Sequence, residues 1–437
     1  MRQHKIPRLN GTQATLFSFL LAILAGSILL SLPVSAADGH AVPYMDALFT
    51  AATSVCVTGL VTVPTFSTWS GFGQAVILLL IQIGGLGVIT ILSGVLITLH
   101  RRIGLGARML IQDAFNLNTL SGMVRFVKNV ILGTFAVEGA GALLYMLVFV
   151  PQYGARGVWM AVFNAVSAFC NAGMDVIGPS SLYAYVSHPL VNAVTCLLIV
   201  LGGLGYIVWW DVLRAVRGVK KQGLRSLKTL TLHSKIALSA TALLIALGAL
   251  PLGQQLQAAL FQSVTTRTAG FATVPQENLR NPTALLSLLL MFIGGSPVGT
   301  AGGVKTVTVV VLAASALAAI RNKRDTVLFH RTVPRQAVAK AVAVTGMSFA
   351  ICFLSTLLLS AAADANALDI LYEAVSATAT VGLTRGLTPT LSAWGKLIII
   401  VTMYLGRVGP ISLAIAFGTR RQSENLIKEP TEEISVG

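Results

Sequence analysis

Long apolar runs alternate with short polar segments along the whole chain. Each run holds roughly 20 residues with few charges, which is the length that a helix needs to cross a bilayer. Eight runs can be distinguished, at about 15–35, 72–98, 125–150, 189–213, 234–256, 282–319, 336–361 and 395–418. A membrane β-barrel would show short alternating segments instead. The pattern therefore predicts an all-α polytopic membrane protein with eight spanning helices.

Four shorter segments lie between pairs of these runs. They read FTAATSVCVTGL, FNAVSAFCNAGM, LFQSVTTRTAGF and YEAVSATATVGL, at 49–60, 163–174, 260–271 and 372–383. Each is too short to span a bilayer, and each ends in a strip of small and hydroxyl residues before a glycine. Irregular backbone survives at membrane depth only where it is buried or lines a wet cavity. The segments therefore predict four re-entrant half-helices with extended return strips, arranged around a pseudo-fourfold pore.

The apolar run after each hairpin carries a glycine motif at a matched distance. The motifs are GGLG at 84–87, GGLG at 202–205, GGSP at 294–297 and GRVGP at 406–410. They begin 25, 29, 24 and 24 residues after the hairpin glycines Gly59, Gly173, Gly270 and Gly382. In the first two copies, close packing of helices through small residues is the favoured explanation. Two motifs in register predict four repeats, at 1–99, 100–218, 219–326 and 327–420, and a cytoplasmic tail at 421–437.

The distribution of charge sets the expected orientation. Only 11% of residues are charged, yet the net charge is +16. Of the 31 Lys and Arg, 24 lie in the two tails and in the segments 101–128, 214–235 and 321–340. The positive-inside rule places these segments and both termini in the cytoplasm. Membrane topology thus accounts for the charge without a nucleic-acid partner, and anionic membrane lipid is a second partner that these segments would fit.

The strip before each hairpin glycine offers suitable ligands for a dehydrated monovalent cation. Backbone carbonyls can replace a hydration shell without a fixed charge that would trap the ion, and glycine permits the backbone angles that aim them inward. No acidic side chain lies in any strip, which argues against a calcium filter. The predicted potassium-filter residues are Cys56, Val57, Thr58, Gly59, Cys170, Asn171, Ala172, Gly173, Arg267, Thr268, Ala269, Gly270, Ala379, Thr380, Val381 and Gly382. We expect the Arg267 side chain to point away from the ion, because a facing cation would repel it.

The hairpin motifs, together with IGGSPVGTAGGVKT at 293–306 and GRVGP at 406–410, resemble the KtrB proteins of the Trk/Ktr/HKT superfamily. The resemblance runs from about residue 10 to residue 420. It implies a potassium translocator of a prokaryotic inner membrane, working as a homodimer on a KtrA-like cytoplasmic ring of nucleotide-binding subunits. Plant sodium-transporting relatives have Ser at the position of Gly59. Family members often have Asn at the position of Cys170 and Pro at that of Thr266, so fine selectivity stays open.

The third and fourth repeats break the symmetry. Glycines and a proline interrupt the sixth run and should unwind its helix near mid-membrane. Arg407 lies in the eighth run, where a buried cation is costly and indicates a function. The resemblance implies a gate below the filter, formed by Gly294, Gly295, Ser296, Pro297, Gly299, Thr300, Gly302, Gly303, Lys305 and Arg407. Alternatively, Arg407 only pairs with helix-end carbonyls and braces a kink.

Other functions fit the sequence less well. Glycine in all four strips argues against a sodium transporter, and pore hairpins argue against an alternating-access carrier. A membrane enzyme would need a nucleophile–base set, a metal-ligand cluster or a phosphate-binding loop, and the sequence shows none of these. We therefore expect a transport protein and no enzyme, with no organic cofactor in this chain. Potassium is the expected cargo, and sodium remains a candidate coupling ion for symport or an activating ion.

Overall fold

The computed structural model describes residues 11–98, 122–178, 180–249 and 256–409, and this part of the chain is mostly helical. The α-helices are α1 Gly11–Leu30, α2 Tyr44–Cys56, α3 Thr65–Thr68, α4 Gly71–Leu86, α5 Val88–Thr98, α6 Met123–Tyr153, α7 Ala155–Cys170, α8 Pro189–Leu204, α9 Tyr206–Gln222, α10 Leu232–Ala249, α11 Leu256–Thr265, α12 Asn281–Phe292, α13 Thr306–Ile320, α14 Arg335–Ala362, α15 Ala367–Thr378 and α16 Ala393–Val408. Two short antiparallel strands, β1 Val327–Leu328 and β2 Arg331–Thr332, pair between α13 and α14. Most of the basic segment 101–128 and all of the predicted tail lie outside the described residues.

Within the part of the chain that the structure describes, four helices are long and apolar enough to cross a bilayer on their own. They are α1, α6, α10 and α14, and the bent pair of α8 and α9 makes a fifth candidate if it is counted as one span. The four single helices correspond to the first, third, fifth and seventh apolar runs of the sequence. The chain is therefore a multi-pass membrane protein, while the full count of eight spans stays a prediction.

The second, fourth and sixth apolar runs are not continuous helices in the described residues, contrary to expectation for the second and the fourth. The run at 72–98 breaks between α4 and α5, and the run at 189–213 bends by 101° between α8 and α9. The described part of the eighth run ends with α16. At the two breaks and at the end of α16 lie Gly87, Gly205 and Gly409, whose φ angles are 83°, 85° and 86°. Glycine reaches such positive φ values without the strain that a β-carbon brings, so these residues let the helices stop.

The third predicted repeat shows what happens without a glycine at this place. Counted from the first glycine of each motif, Pro297 occupies the register of Gly87. Proline holds φ near about −65°, so it cannot adopt the left-handed break. The chain instead leaves α12 and forms the loop 293–305 before α13 begins. Ile293 and Val304 pair at the neck of this loop, which keeps its two ends together.

The core surrounds four short helices, α2, α7, α11 and α15. In α2, every residue from Phe49 to Cys56 is buried, and α7 is buried almost as fully. Two of the helices that pack against them begin with a serine cap, because the Ser70 hydroxyl accepts from Gly73 N and the Ser392 hydroxyl from Gly395 N, both at 3.2 Å. The short helices are therefore held on all sides, and their carboxyl ends lie inside the protein.

Candidate ion-conducting site

Each of the four predicted filter strips has the same backbone signature. The hairpin glycine and the residue two positions before it both have positive φ, and the residue between them does not. The angles are 55° and 100° for Val57 and Gly59, 60° and 64° for Asn171 and Gly173, 67° and 79° for Thr268 and Gly270, and 51° and 94° for Thr380 and Gly382. In a regular strand successive carbonyls point to opposite sides. Left-handed residues at every second position remove that alternation, so successive carbonyls can face one side.

The four glycines lie next to one another in a closed ring. A β-carbon added to any of them would lie 2.6 Å or less from the carbonyl oxygen that precedes the next glycine. The pairs are Gly59 with Ala172, Gly173 with Ala269, Gly270 with Val381, and Gly382 with Thr58. The last pair returns to the first strip, so the order closes on itself. Four strips distant in sequence thus surround one axis at a distance where no side chain fits.

Hydroxyl side chains of the short helices hold the strips in place. Gly59 N donates to the Thr53 hydroxyl and Gly382 N to the Ser376 hydroxyl, each at 3.0 Å. Both hydroxyls come six residues before the glycine that they bind. Sequence reasoning noted the abundance of hydroxyl residues in these segments but missed this spacing, which was visible in the sequence and indicates a side-chain anchor.

The first glycine of three of the later motifs permits close helix packing. A β-carbon on Gly84, Gly202 or Gly406 would overlap a carbonyl oxygen at the end of the neighbouring short helix. Those oxygens belong to Val55, Phe169 and Thr378, each four residues before its hairpin glycine. The motif therefore has two parts, since its first glycine brings a helix against the strip and a later glycine ends that helix.

Arg267 directs its side chain into the wall of the protein. It is 6% exposed, and its guanidinium donates to the Thr241 hydroxyl of α10 at 3.2 Å. Because the side chain reaches α10, Arg267 contributes only its backbone to the third strip. This agrees with the expectation that its positive charge points away from the ion.

A buried carboxylate lies behind the second strip. Glu138 of α6 is 4% exposed and accepts from the Gln82 amide at 3.2 Å and from the Cys170 thiol at 3.7 Å. Gln82 belongs to α4, and Cys170 is the last residue of α7. The cluster therefore connects α4 with the carboxyl end of the second short helix. The contact with Gln82 could not be predicted, because nothing in the sequence relates the two positions.

The loop 293–305 docks on the break between α8 and α9. Ser296 N donates to Gly203 O at 2.8 Å, and Thr300 N donates to Gly202 O at 3.1 Å. The Thr300 hydroxyl donates to Phe169 O, the last but one residue of α7, at 3.0 Å. The predicted gate segment therefore rests against the end of the second short helix, directly before its filter strip.

Arg407 joins this loop to two other parts of the molecule. Its guanidinium donates to Thr300 O and to Gly84 O, both at 2.5 Å. Lys305 donates to Ala301 O within the loop, also at 2.5 Å. A side chain from α16 thus bridges the loop and α4, and it satisfies carbonyls that the loop and the end of α4 leave free.

A cavity of about 370 Å³ lies beside the loop. Its lining includes both cations, Lys305 and Arg407, together with Gly302 of the loop and Ala379 of the fourth strip. Residues of α1 and α14 complete the wall. Five of the ten predicted gate residues and the first residue of the fourth filter strip therefore border the same space.

Comparison with known proteins gives a consistent result. The TrkH family profile, described as cation transport protein, matches residues 10–252 and 248–429. The Ktr system potassium uptake protein B of Bacillus subtilis is 39% identical, over 98% of this chain and 97% of its own length. The potassium/sodium uptake protein NtpJ of Enterococcus hirae is 35% identical, over 100% and 99% of the two chains. The crystal structure of the potassium transporter TrkH from Vibrio parahaemolyticus superposes with a TM-score of 0.76 at 16% identity, over 95% of this chain and 86% of that one.

Proposed function

Since the chain belongs to the TrkH family of cation transport proteins, we propose that it takes up potassium through a filter made of backbone carbonyls. The ring of Gly59, Gly173, Gly270 and Gly382 would be the narrowest part of the path. The chain is a transport protein and not an enzyme, so the site has to bind, select and release an ion and not to transform it.

The closed order of the four glycine contacts is the observation that carries this proposal. Each strip places left-handed residues where a cation filter needs its carbonyls turned inward, and four strips supply several rings of oxygen ligands. The carboxyl ends of four short helices approach the same axis, and their dipoles favour a cation there. Neutral oxygens of this kind suit a large, weakly hydrated monovalent ion.

The loop 293–305 and Arg407 would form the gate of this path. The hydrogen bonds of Arg407 to Thr300 O and Gly84 O support a position in which the loop is held across the cavity. The guanidinium would also repel a cation that leaves the filter. A cytoplasmic regulatory subunit would open the path by favouring a second loop position, which requires different contacts in the two states.

Sodium transport is the second candidate function. The relative from Enterococcus hirae is a potassium/sodium uptake protein, and it matches the whole chain. Glycine in all four strips favours potassium as the main cargo, with sodium as a coupling or activating ion. Ion competition in the uptake assay decides between these two readings.

The multi-component organisation of the system is also part of the proposal. We place both termini and the basic segments 214–235 and 321–340 in the cytoplasm of a bacterial inner membrane. A homodimer on a KtrA-like nucleotide-binding ring would supply the nucleotide control of the gate. The name of the Bacillus subtilis relative, a Ktr system protein, is consistent with such partners.

Complementation of a potassium-uptake-deficient bacterium tests the function directly. The gene should restore growth at low potassium, and a coexpressed KtrA-like subunit should increase the uptake rate. Purified protein in proteoliposomes should take up potassium in preference to sodium. A well-expressed, folded protein that carries neither ion would refute the proposal.

A further inference from the structure

Helix α9 takes no part in the proposed filter, yet it lies in a strongly basic part of the chain. Residues 206–235 contain seven Lys and Arg and one acidic residue, Asp211, a balance of +6. No other acidic residue occurs between 176 and 276. The positive charge of α9 and of the turn after it is therefore not matched by neighbours in sequence.

The geometry of α9 fits a helix that lies along a membrane surface. It leaves α8 at a bend of 101°. The 16 residues of α8 measure about 24 Å at a rise of about 1.5 Å per residue, somewhat less than a hydrocarbon core of about 30 Å. A turn of this size directs the next helix across the axis of α8 and not onward through the bilayer.

One face of α9 combines exposed aliphatic and basic side chains. Leu213 is 42% exposed and Val216 is 53% exposed. Arg217 and Lys220 are also exposed, and the 3.6-residue period places all four on one face. In interfacial helices, aliphatic side chains enter the acyl boundary while the cations meet headgroup phosphates.

The acidic residue of this segment is turned away from that face. Asp211 is 4% exposed and accepts from both the backbone N and the hydroxyl of Thr231, each at 2.8 Å. The Ser226 hydroxyl donates to Ala215 O at 2.7 Å and folds the 3-10 turn Gly223–Thr229 back onto α9. The helix is thereby fixed to the start of α10, and its outer face keeps its positive charge.

We propose that the face formed by Leu213, Val216, Arg217 and Lys220 binds anionic phospholipid headgroups of the cytoplasmic leaflet. The guanidinium and ammonium groups donate to the phosphodiester, and the two aliphatic side chains enter the acyl region. The right-angle turn and the outward Leu213 and Val216 favour lipid over free phosphate or a soluble acidic protein. The inference rests on the membrane placement in the proposed function and not on the ion carried.

The test measures lipid binding to the purified full chain in mild detergent. Phosphatidylglycerol, phosphatidylcholine and inorganic phosphate are titrated separately, and bound molecules are counted by native mass spectrometry. The variant Arg217→Gln/Lys220→Gln is compared with Arg156→Gln/Arg280→Gln, which removes the same charge from exposed positions outside the three basic segments. Each basic residue near an anionic surface gives about a five-fold gain in affinity, so we expect at least about a ten-fold loss for the first variant only.

A third variant, Leu213→Asn/Val216→Asn, tests the aliphatic part, and it should weaken phosphatidylglycerol binding without any change in charge. Equal lipid binding by wild type and the Arg217/Lys220 variant would overturn the proposal, as would an equal loss in the control. Retained lipid together with loss of a copurifying regulatory subunit would make the face a protein docking site instead. Loss of cation flux with normal lipid binding would contradict the proposed function alone.

Discussion

Lys396 and Asp46 form an ion pair that joins the last predicted repeat to the first. Lys396 Nζ lies 2.5 Å from Asp46 Oδ1, although 350 residues separate them in sequence. The side chains are only 15% and 13% exposed. The pair connects α16, in the fourth predicted repeat, to the first turn of α2, in the first. The strips of these two repeats are neighbours in the ring, although the repeats lie at opposite ends of the sequence.

Removing one partner of this pair should destabilise the protein. Asp46→Asn leaves the Lys396 ammonium largely buried without its counter-ion, and we expect a loss of about 2 kcal/mol in the free energy of unfolding. The measurement is thermal unfolding in detergent. Asp364→Asn, at an exposed position, is the control and should melt like wild type. Adding Lys396→Met to Asp46→Asn should recover most of the loss, and a melting temperature unchanged by Asp46→Asn would argue against the pair's contribution.

Gly59→Ser should reduce the discrimination of potassium over sodium. A β-carbon at this position would lie 2.5 Å from Ala172 O, so the strip has to move and its carbonyls leave the axis. We expect the uptake ratio of the two ions to fall about ten-fold, which corresponds to about 1.4 kcal/mol. Competition between the two ions in proteoliposomes measures it.

Gly386→Ser is a matched control for this substitution. Gly386 also has a positive φ, of 89°, but the nearest atom to an added β-carbon is 3.9 Å away, on Glu277. Any loss that comes from backbone strain alone would appear in both variants. Unchanged selectivity in a stably expressed Gly59→Ser protein would count against a filter at this ring.

Thr300→Val tests one contact of the loop without changing its size. The substitution removes the hydrogen bond from the Thr300 hydroxyl to Phe169 O, which contributes about 1 kcal/mol in a buried setting. If the loop is a gate, potassium flux should rise by up to about five-fold, because the closed position loses that much stability. Ser296→Ala also removes a hydroxyl from the loop, but that hydroxyl pairs with Thr306 and not with the second short helix. It should therefore have a smaller effect on flux.

The sequence predicted the elements well where one physical rule decides. Apolar length identified α1, α6, α10 and α14, because a span needs a run of that size. The residue types of the strips predicted the conformation found at Gly59 and its counterparts. The breaks at Gly87 and Gly205 were missed, since a single glycine costs a helix only about 1 kcal/mol and is often tolerated.

Contacts between distant segments could not be read in the same way. No pattern relates Asp46 to Lys396, or Gln82 to Glu138, because each pair depends on how whole helices pack. Arg407 has carbonyl partners, as its interpretation as a brace predicted, but Gly84 as one of them was not foreseen, and its role as a gate stays a prediction. The motif alignment shows that Pro297 replaces a helix-ending glycine. Its effect on the chain became clear only by comparison with Gly87, Gly205 and Gly409 in the structure.

Arg407→Ala should raise potassium flux and make it less dependent on the regulatory subunit. The guanidinium is the link between the loop and α4, through Thr300 O and Gly84 O. Its removal takes away two charge-assisted hydrogen bonds of the closed loop and one positive charge beside the cavity. Flux into proteoliposomes at matched protein amounts, with and without the subunit, measures the effect, and a rise of about ten-fold or more is expected.

Arg407→Lys separates the two contributions of this residue. Lysine keeps the positive charge, but its compact ammonium cannot reproduce the fork that binds two carbonyls at once. If repulsion of the cation closes the path, the lysine variant should stay closed. If the bridge to Thr300 and Gly84 closes it, the lysine variant should conduct like Arg407→Ala. A shortened loop lacking part of Gly295–Gly303 should conduct in either case, because the obstruction itself is gone. Unchanged or reduced flux from folded Arg407→Ala and loop-deletion proteins would mean that both are structural braces of a helix break, since a brace stabilises the fold without limiting the passage of ions.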